Sequence, residues 1–226
     1  MVSSALAWPL LVGCGASPST VGSGGVDGLH VPTPSPDPDD FVDGIDNPWL
    51  PLGDGAEWSY VDSAGAEIAK AVVGSEPRVV FGVSCRAVRW SGRIQRRTDW
   101  FAQDRAGNVW QLAGEAPGIS WEGGRNGARA GLAMPAAPRR GDGFAVMNAP
   151  GVAEDRMTVT SIDARAPSDL PEAYADRLIL LERRSSLDVT LRVREYYARE
   201  IGLVARTAEA GGPDELLLAD HTGSGT

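Results

Sequence analysis

The sequence predicts a mainly β protein whose one globular domain folds as a single antiparallel β-barrel or half-barrel. Apolar residues recur at every second position through most of the domain, which is the period of a half-buried strand. Turn residues separate these segments, and none longer than about eight residues has a clean helical period. About ten to twelve strands in roughly 180 residues fit a lipocalin-like barrel or an open curved sheet, with a sandwich as the alternative.

The first strands are predicted from alternation in residues 56–60, 68–72 and 79–90. In the third segment Cys85 occupies an apolar position, so we expect a small side chain buried on the core face of a strand. Residues 104–108 (DRAGN) separate the apolar segments 98–102 and 109–112. This spacing predicts a hairpin turn.

The second half of the domain predicts a meander of strands at residues 174–184, 187–197, 201–207 and 214–219. Within residues 187–193, leucine and valine alternate with aspartate, threonine and arginine, which indicates one dry face and one wet face. One short helical turn is expected at residues 171–176. Between residues 114 and 143 the alternation fails, and the abundance of glycine, proline and arginine predicts a long loop that exposes Trp121.

The N-terminal region predicts export and anchoring rather than a folded segment. Residues 5–12 form a short apolar run that is far below the roughly twenty residues needed to span a bilayer, and it fits a signal peptide over residues 1–13. The following Leu-Val-Gly-Cys resembles the lipobox of bacterial lipoproteins. This resemblance implies that Cys14 carries a diacylglyceryl group and anchors the protein to the outside of the cell membrane. An ordinary cysteine in a buried N-terminal element is the alternative.

The remaining domain boundaries follow from composition. Residues 14–40 are dominated by Gly, Ser, Pro and Asp and predict a disordered tether behind the lipidated cysteine. Residues 41–220 form the predicted β-rich domain, and residues 221–226 a flexible tail.

Composition excludes several function classes. The formal charge of −9, without a basic stripe, argues against a nucleic-acid partner. The histidines are His30, in the predicted tether, and His221, in the predicted tail, so neither a Ser-His or Cys-His mechanism nor a zinc site is expected. An EF-hand that starts at Asp39 fails at its third and twelfth positions. We therefore predict no metal and no cofactor.

A set of short motifs covers most of residues 45–205. They are IDNPWLPL (45–52), EWSY (57–60), DWFAQD (99–104), GNVW (107–110), MPA (134–136), APGVAED (149–155), YYA (196–198) and GLV (202–204). Together they resemble a group of secreted bacterial lipoproteins without an assigned activity. The resemblance implies an extracytoplasmic, mainly β domain behind a lipid anchor.

Aromatic residues supply the main clue to a ligand. Trp100 and Trp110 flank the predicted hairpin and are expected to pair across it, while Trp121 and Arg125 lie in the irregular segment. An apolar cavity in a barrel mouth, rimmed by Trp and Arg, suits a lipid, a glycan or another small amphipathic ligand. We therefore predict a non-enzymatic envelope lipoprotein that binds such a ligand, or a partner protein, near the membrane.

Two alternatives stay open. Glu154 and Asp155 precede a predicted strand and are the acids expected in a carboxylate-dependent hydrolase of an extracytoplasmic substrate such as a glycan. A second acid from residues 100–122 would complete that site, because neighbours on a strand point to opposite faces. The third possibility is a structural or interaction module without a pocket.

Overall fold

A computed structural model describes residues 36–93, 96–208 and 215–223. The predicted signal peptide, the lipidated Cys14 and the tether up to residue 35 lie outside the described residues. In the described part, two single-turn 3-10 helices (Pro38–Asp40 and Glu172–Tyr174) accompany fifteen strands. The second of these helices lies where the short helical turn was predicted.

The strands of the first half are β1 (Phe41–Val42), β2 (Glu57–Val61), β3 (Glu67–Val73), β4 (Arg78–Val80), β5 (Val83–Gly92), β6 (Arg97–Asp104), β7 (Val109–Ala116) and β8 (Ile119–Glu122). Those of the second half are β9 (Gly131–Met134), β10 (Gly143–Ala149), β11 (Ala153–Ala164), β12 (Leu178–Ser185), β13 (Arg192–Ala198), β14 (Gly202–Ala208) and β15 (Leu216–Thr222).

All paired strands are antiparallel, and they form one sheet in the order β10-β11-β12-β13-β14-β15-β2-β3-β5-β6-β7-β8. β9 pairs with β7 and also approaches β10, where the Arg129 N–H donates to the Asn148 carbonyl at 2.8 Å. The sheet therefore curls into a nearly closed barrel. This confirms the predicted mainly β, antiparallel barrel.

The predicted hairpin turn and meander are also present. The Oδ1 atom of Asp104 accepts the backbone N–H of Asn108 at 2.9 Å, and Gly107 takes a positive φ of 87° that the turn requires. β12 to β15 follow one another in the sheet as neighbours. Cys85 is fully buried on β5, as expected.

The segment 187–191 differs from its predicted strand structure. The carboxylate of Asp188 accepts both the N–H and the hydroxyl of Thr190, at 2.9 and 2.6 Å, and the N–H of Leu191 donates to the Asp188 carbonyl at 3.0 Å. These local bonds form a turn, so β13 starts only at Arg192. Leu187 and Val189 are consequently exposed, by 51% and 91%.

The predicted long loop between residues 114 and 143 contains β8 and β9, so this expectation was wrong in part. Trp121 lies on β8 and is only 7% exposed, against an expectation of exposure. It is buried because it packs against β7 at Gly114, where an added Cβ would meet its indole nitrogen at 2.6 Å. Gly114 thus makes room for the Trp121 ring. The same glycine interrupts the apolar alternation from which a strand would have been predicted.

The last strand extends beyond the predicted domain end. β15 continues to Thr222, and the ring of His221 lies 5.2 Å from that of Trp58, so the flexible tail cannot begin at residue 221. The turn between β13 and β14 also holds Trp58, whose Nε1 donates to the carbonyl of Ile201 at 2.7 Å. In the part of the chain that the structure describes, no helix has the length and apolar character to cross a bilayer.

One end of the barrel is covered by the segment before β2. The side-chain nitrogen of buried Asn47 donates to the carbonyls of Gly107 and Pro135 at 2.8 and 3.2 Å, and its side-chain oxygen accepts the N–H of Trp49 at 2.9 Å. These bonds fix the segment to the β6–β7 turn and to the residue that follows β9. They bring Leu50 and Leu52 to the wall of the interior cavity.

Candidate functional site

The barrel interior contains a cavity of about 80 Å³ that has an apolar end and a charged end. The apolar end is lined by Leu50, Leu52, Trp58, Tyr60 and Trp90. The charged end is lined by Arg97, Asp99, Gln111, Arg183, Glu195 and Arg206. Charged side chains point inward here because they occupy strand positions that face the interior, where alternation alone predicts apolar residues.

Arg183 on β12 connects two acids of the charged end. Its Nε and Nη2 atoms lie 2.7 and 2.6 Å from the Oδ2 of Asp155 on β11, and its Nη1 lies 3.7 Å from the Oε1 of Glu195 on β13. All three side chains are at least 90% buried. Burial acts to lower the pKa of Arg183, but the nearby carboxylates outweigh it and raise that pKa above its ordinary value.

Glu195 is the most deeply buried acid of the charged end. Arg206 on β14 contacts its Oε1 through Nε and Nη2, at 3.1 and 2.9 Å, while the Tyr197 hydroxyl donates to its Oε2 at 2.7 Å. Burial acts to raise the pKa of Glu195, but Arg206, Arg183 and the Tyr197 hydrogen bond together lower it. The buried glutamate is therefore held in its charged form.

A second group of polar side chains comes from β6 and β7. The Nε atom of Arg97 lies 2.6 Å from the Oδ2 of Asp99, and the side-chain nitrogen of Gln111 donates to the Oδ1 of Asp99 at 2.9 Å. The guanidinium of Arg97 also lies over the Trp90 ring, 5.1 Å from its centroid. Burial lowers the pKa of Arg97; Asp99 raises it, and Arg183 and Arg206 lower it further.

The charged end continues outward into a larger opening of about 380 Å³, which we call the mouth. Arg97, Asp99 and Met147 line both spaces, so they form the boundary between the cavity and the mouth. The outer wall of the mouth is mostly apolar, with Ile119, Val152 and Leu187 exposed by 47%, 42% and 51%, and it also carries the polar side chains of Glu115 and Ser185. The mouth thus leads from a mostly apolar outer wall to a polar floor, which is formed by Arg97 and Asp99.

Two of the sequence-predicted site residues, Trp121 and Asp155, line the mouth. Arg125 lines a separate pocket together with Trp121, and its Nε is 3.0 Å from the Oε1 of Glu122. The structure therefore brings Trp121 near to both Asp155 and Arg125.

The other predicted residues lie elsewhere. Trp100 pairs with Ala113 in the register of β6 and β7 and Trp110 with Ala102, so the two tryptophans are not directly opposite. Trp100 is buried, with the guanidinium of Arg78 4.6 Å from its ring centroid. The Nε1 of Trp110 donates to the Oδ2 of Asp104 at 2.8 Å.

Glu154 is also directed to a structural contact, because its Oε1 accepts the N–H of Gly151 at 2.6 Å in the turn before β11. Asp155 faces the interior and is held by Arg183. The hydrolase alternative stays a prediction: of Glu154 and Asp155 only Asp155 lines the mouth, and Glu115, from the range expected to supply the second acid, lines it as well.

Sequence reasoning missed the interior arginines and Glu195. The available signal was a charged residue at an otherwise apolar position of a strand, as in the LILLERRS sequence of β12. A charged residue at such a position indicates a buried ion pair only when a neighbouring strand places an opposite charge beside it in the barrel interior.

Among residues 36–93, 96–208 and 215–223, no cluster of three or more His, Cys, Asp or Glu side chains has the arrangement of a metal site. Comparisons with models of protein families, with characterised proteins and with solved structures give no significant match. The barrel interior and its mouth are therefore the features from which a function is inferred.

Proposed function

We propose that the protein is a non-enzymatic lipoprotein of the cell envelope, anchored through Cys14, whose barrel binds a small amphipathic ligand near the membrane. The observation that carries this proposal is the mouth, in which exposed apolar side chains surround a polar floor. A ligand with an apolar body and a polar group matches both parts of this surface.

The volumes favour a ligand body in the mouth. The mouth, at about 380 Å³, is within the usual size range of small-molecule sites, whereas the interior cavity, at about 80 Å³, has room only for water or one small group. A bound molecule would therefore place one end at the charged floor and its body among Ile119, Val152 and Leu187.

Hydrophobic burial would supply part of the affinity. Ile119, Val152 and Leu187 are each about half exposed, with values of 47%, 42% and 51%. Covering the exposed half of such a side chain contributes roughly 1 kcal/mol, about half of the value for full burial. An apolar body that covers all three would gain roughly 3 kcal/mol.

The lipid anchor would set the place of binding. Cys14 and a tether of Gly, Ser and Pro precede the domain in the sequence. Such a tether would keep the mouth within reach of the membrane surface, where amphipathic molecules concentrate. A partner protein that covers the same apolar rim is the other outcome to be tested.

The test uses the full chain with Cys14→Ala, so that neither the anchor nor detergent competes for the mouth. We expect the uncharged probe N-phenyl-1-naphthylamine to gain fluorescence on binding, and native mass spectrometry to detect small molecules that co-purify. Ile119→Asp should weaken probe binding by about fivefold or more, because it removes apolar contact of roughly 1 kcal/mol.

The matched control is Val79→Asp, which makes the same kind of change at a residue that is 70% exposed and does not line the mouth. This variant should bind the probe like the parent protein. Absence of any fluorescence gain, or equal loss in both variants, would argue against ligand binding in the mouth. If another protein co-purifies in stoichiometric amount with the parent protein but not with Ile119→Asp, a partner protein rather than a small ligand would be favoured as the occupant of the mouth.

A further inference from the structure

Arg97 occupies the boundary between the mouth and the interior cavity. Its side chain is 21% exposed, more than those of Arg183 and Arg206, which are 10% and 8% exposed. Of the three guanidinium groups in the charged end, that of Arg97 is thus the most accessible from the mouth.

Arg97 also has unused hydrogen-bonding capacity. Its Nε lies close to Asp99, yet that buried nitrogen has no hydrogen-bond partner of good geometry, and no described residue accepts a hydrogen bond from the rest of its guanidinium. A guanidinium carries five N–H donors in a planar fork that matches a carboxylate. By contrast, Arg183 and Arg206 donate to Asp155 and Glu195 respectively.

Among the described residues three acids line the mouth: Asp99 and Asp155 at its floor are already engaged, while Glu115 on β7 is exposed. Both oxygens of Asp99 have partners, with Gln111 on one and Arg97 on the other, and Asp155 is held by Arg183. Burial has the largest effect on the pKa of Arg97 and lowers it; Asp99 raises that pKa, and repulsion from Arg183 and Arg206 lowers it. An additional anion beside Arg97 would offset this repulsion, whereas an additional cation would increase it.

We propose that Arg97 binds the acid group of the ligand, and that the ligand is an amphipathic carboxylate of the fatty acid class. This inference rests on the proposed function, which it makes specific. The carboxylate would accept charge-assisted hydrogen bonds from the Arg97 fork at the floor of the mouth. The acyl chain would lie along Ile119, Val152 and Leu187 toward solvent.

Trp90 supports this role by fixing the guanidinium. The face of the Trp90 ring lies under it at 5.1 Å, and Asp99 contacts its Nε. With the inner side of the group held in this way, its remaining N–H groups are available to a ligand that enters through the mouth. A lysine at this position would retain the charge but lose the planar fork.

The test measures displacement of N-phenyl-1-naphthylamine from the full chain with Cys14→Ala by dodecanoate, dodecanol and dodecyltrimethylammonium, each kept below its micelle concentration or solubility limit. The three compounds share a chain length and differ in head-group charge. We expect dodecanoate to bind at least about tenfold more tightly than either of the others. Arg97→Gln should weaken dodecanoate about tenfold or more and leave dodecanol unchanged, while Arg97→Lys should have an intermediate effect.

The matched control is Arg93→Gln, which removes the same charge from a side chain that is 67% exposed and outside the mouth. It should bind dodecanoate like the parent protein. Equal binding of dodecanoate and dodecanol, a preference for the cation, or equal loss in both glutamine variants would overturn the role of Arg97 and leave ligand binding by the barrel intact. If the parent protein binds the probe but none of the three compounds displaces it, the fatty-acid class is wrong; if the probe itself does not bind, the proposed function fails.

Should Arg97→Gln not fold, the order of the three compounds on the parent protein decides the question.

Discussion

Arg183 and Asp155 form a buried ion pair that links β11 and β12 inside the barrel, with two guanidinium nitrogens 2.6 and 2.7 Å from one carboxylate oxygen. The same guanidinium lies 3.7 Å from Glu195 on the next strand. One arginine thus neutralises charge from two neighbouring strands. Removing it would leave buried acids without compensation, which costs more free energy than the intact pair contributes.

We predict that Arg183→Met lowers the free energy of unfolding by about 3–5 kcal/mol. The matched control is Arg93→Met, because Arg93 pairs with Asp62 at 3.2 Å on the surface and is 67% exposed. That change should cost less than about 1 kcal/mol. Urea unfolding followed by tryptophan fluorescence measures both values. A small, equal loss in the two variants would show that the interior pair does not stabilise the barrel.

Glu195 makes the stability of the barrel dependent on pH. Its folded-state pKa is below the ordinary value of 4.5, because the nearby arginines and Tyr197 outweigh the opposing effect of burial. The stabilisation from this ionised group is therefore complete above about pH 4.5 and is lost as the pH falls through the lower folded-state pKa.

We predict that Glu195→Gln destabilises the protein by about 3 kcal/mol at pH 7, and that this difference from wild type narrows on acidification to pH 3. Glu76→Gln, a change of an exposed acid, should keep the wild-type dependence on pH. Urea unfolding at a series of pH values tests this. A difference between Glu195→Gln and wild type that is constant from pH 7 to pH 3 would contradict the prediction.

Gly131 on β9 sits at the seam of the barrel. A Cβ added there would lie 2.2 Å from the carbonyl oxygen of Val146 on β10, which is a contact with rigid backbone. We predict that Gly131→Ala separates β9 from β10 and lowers the free energy of unfolding by about 1–3 kcal/mol. Gly223→Ala is the control, because no atom lies within 4 Å of its added Cβ, and it should change stability by less than about 0.5 kcal/mol.

Hydrogen exchange of the amides near this seam gives a second measurement. The Arg129 N–H, which donates to Asn148 at 2.8 Å, should exchange faster in Gly131→Ala than in Gly223→Ala. Equal protection in the two variants would mean that the seam tolerates the added methyl group.

The sequence predicted the β-barrel class well because alternation is a local property. Cys85, the turn at residues 104–108 and the meander from β12 to β15 each depend on residues close together in the chain. The segment 187–191 departs from this prediction, since the hydrogen bonds that the Asp188 carboxylate accepts from Thr190 compete with strand pairing. Local side-chain bonds therefore set the limit of prediction from alternation.

The candidate site was less predictable because it depends on closure of the barrel. Arg97 on β6 and Asp155 on β11 share the mouth only because the sheet curls and β9 approaches β10. Strand periodicity does not contain that information. It also treats a charge at an inward position, such as Glu195, as an interruption rather than as one partner of a buried ion pair.

Cys85 provides a test of how tightly the β4–β5 hairpin is packed. The side chain is fully buried on β5, and its Sγ lies 3.4 Å from the carbonyl oxygen of Val83. Burial raises the pKa of the thiol from its ordinary value of 9.0 to about 12. The reactive thiolate fraction at pH 8 is therefore about a thousandfold smaller than for an ordinary thiol.

We predict that N-ethylmaleimide at pH 8 labels Cys85 at least a hundredfold more slowly in the native protein than in urea, because both low thiolate content and burial must be overcome. Mass spectrometry of peptides separates this residue from Cys14. In Gly131→Ala, labelling of Cys85 should accelerate only in proportion to the lower stability of the whole domain, since the seam is formed by β9 and β10. Native labelling as fast as in urea would show that the β4–β5 hairpin opens on its own.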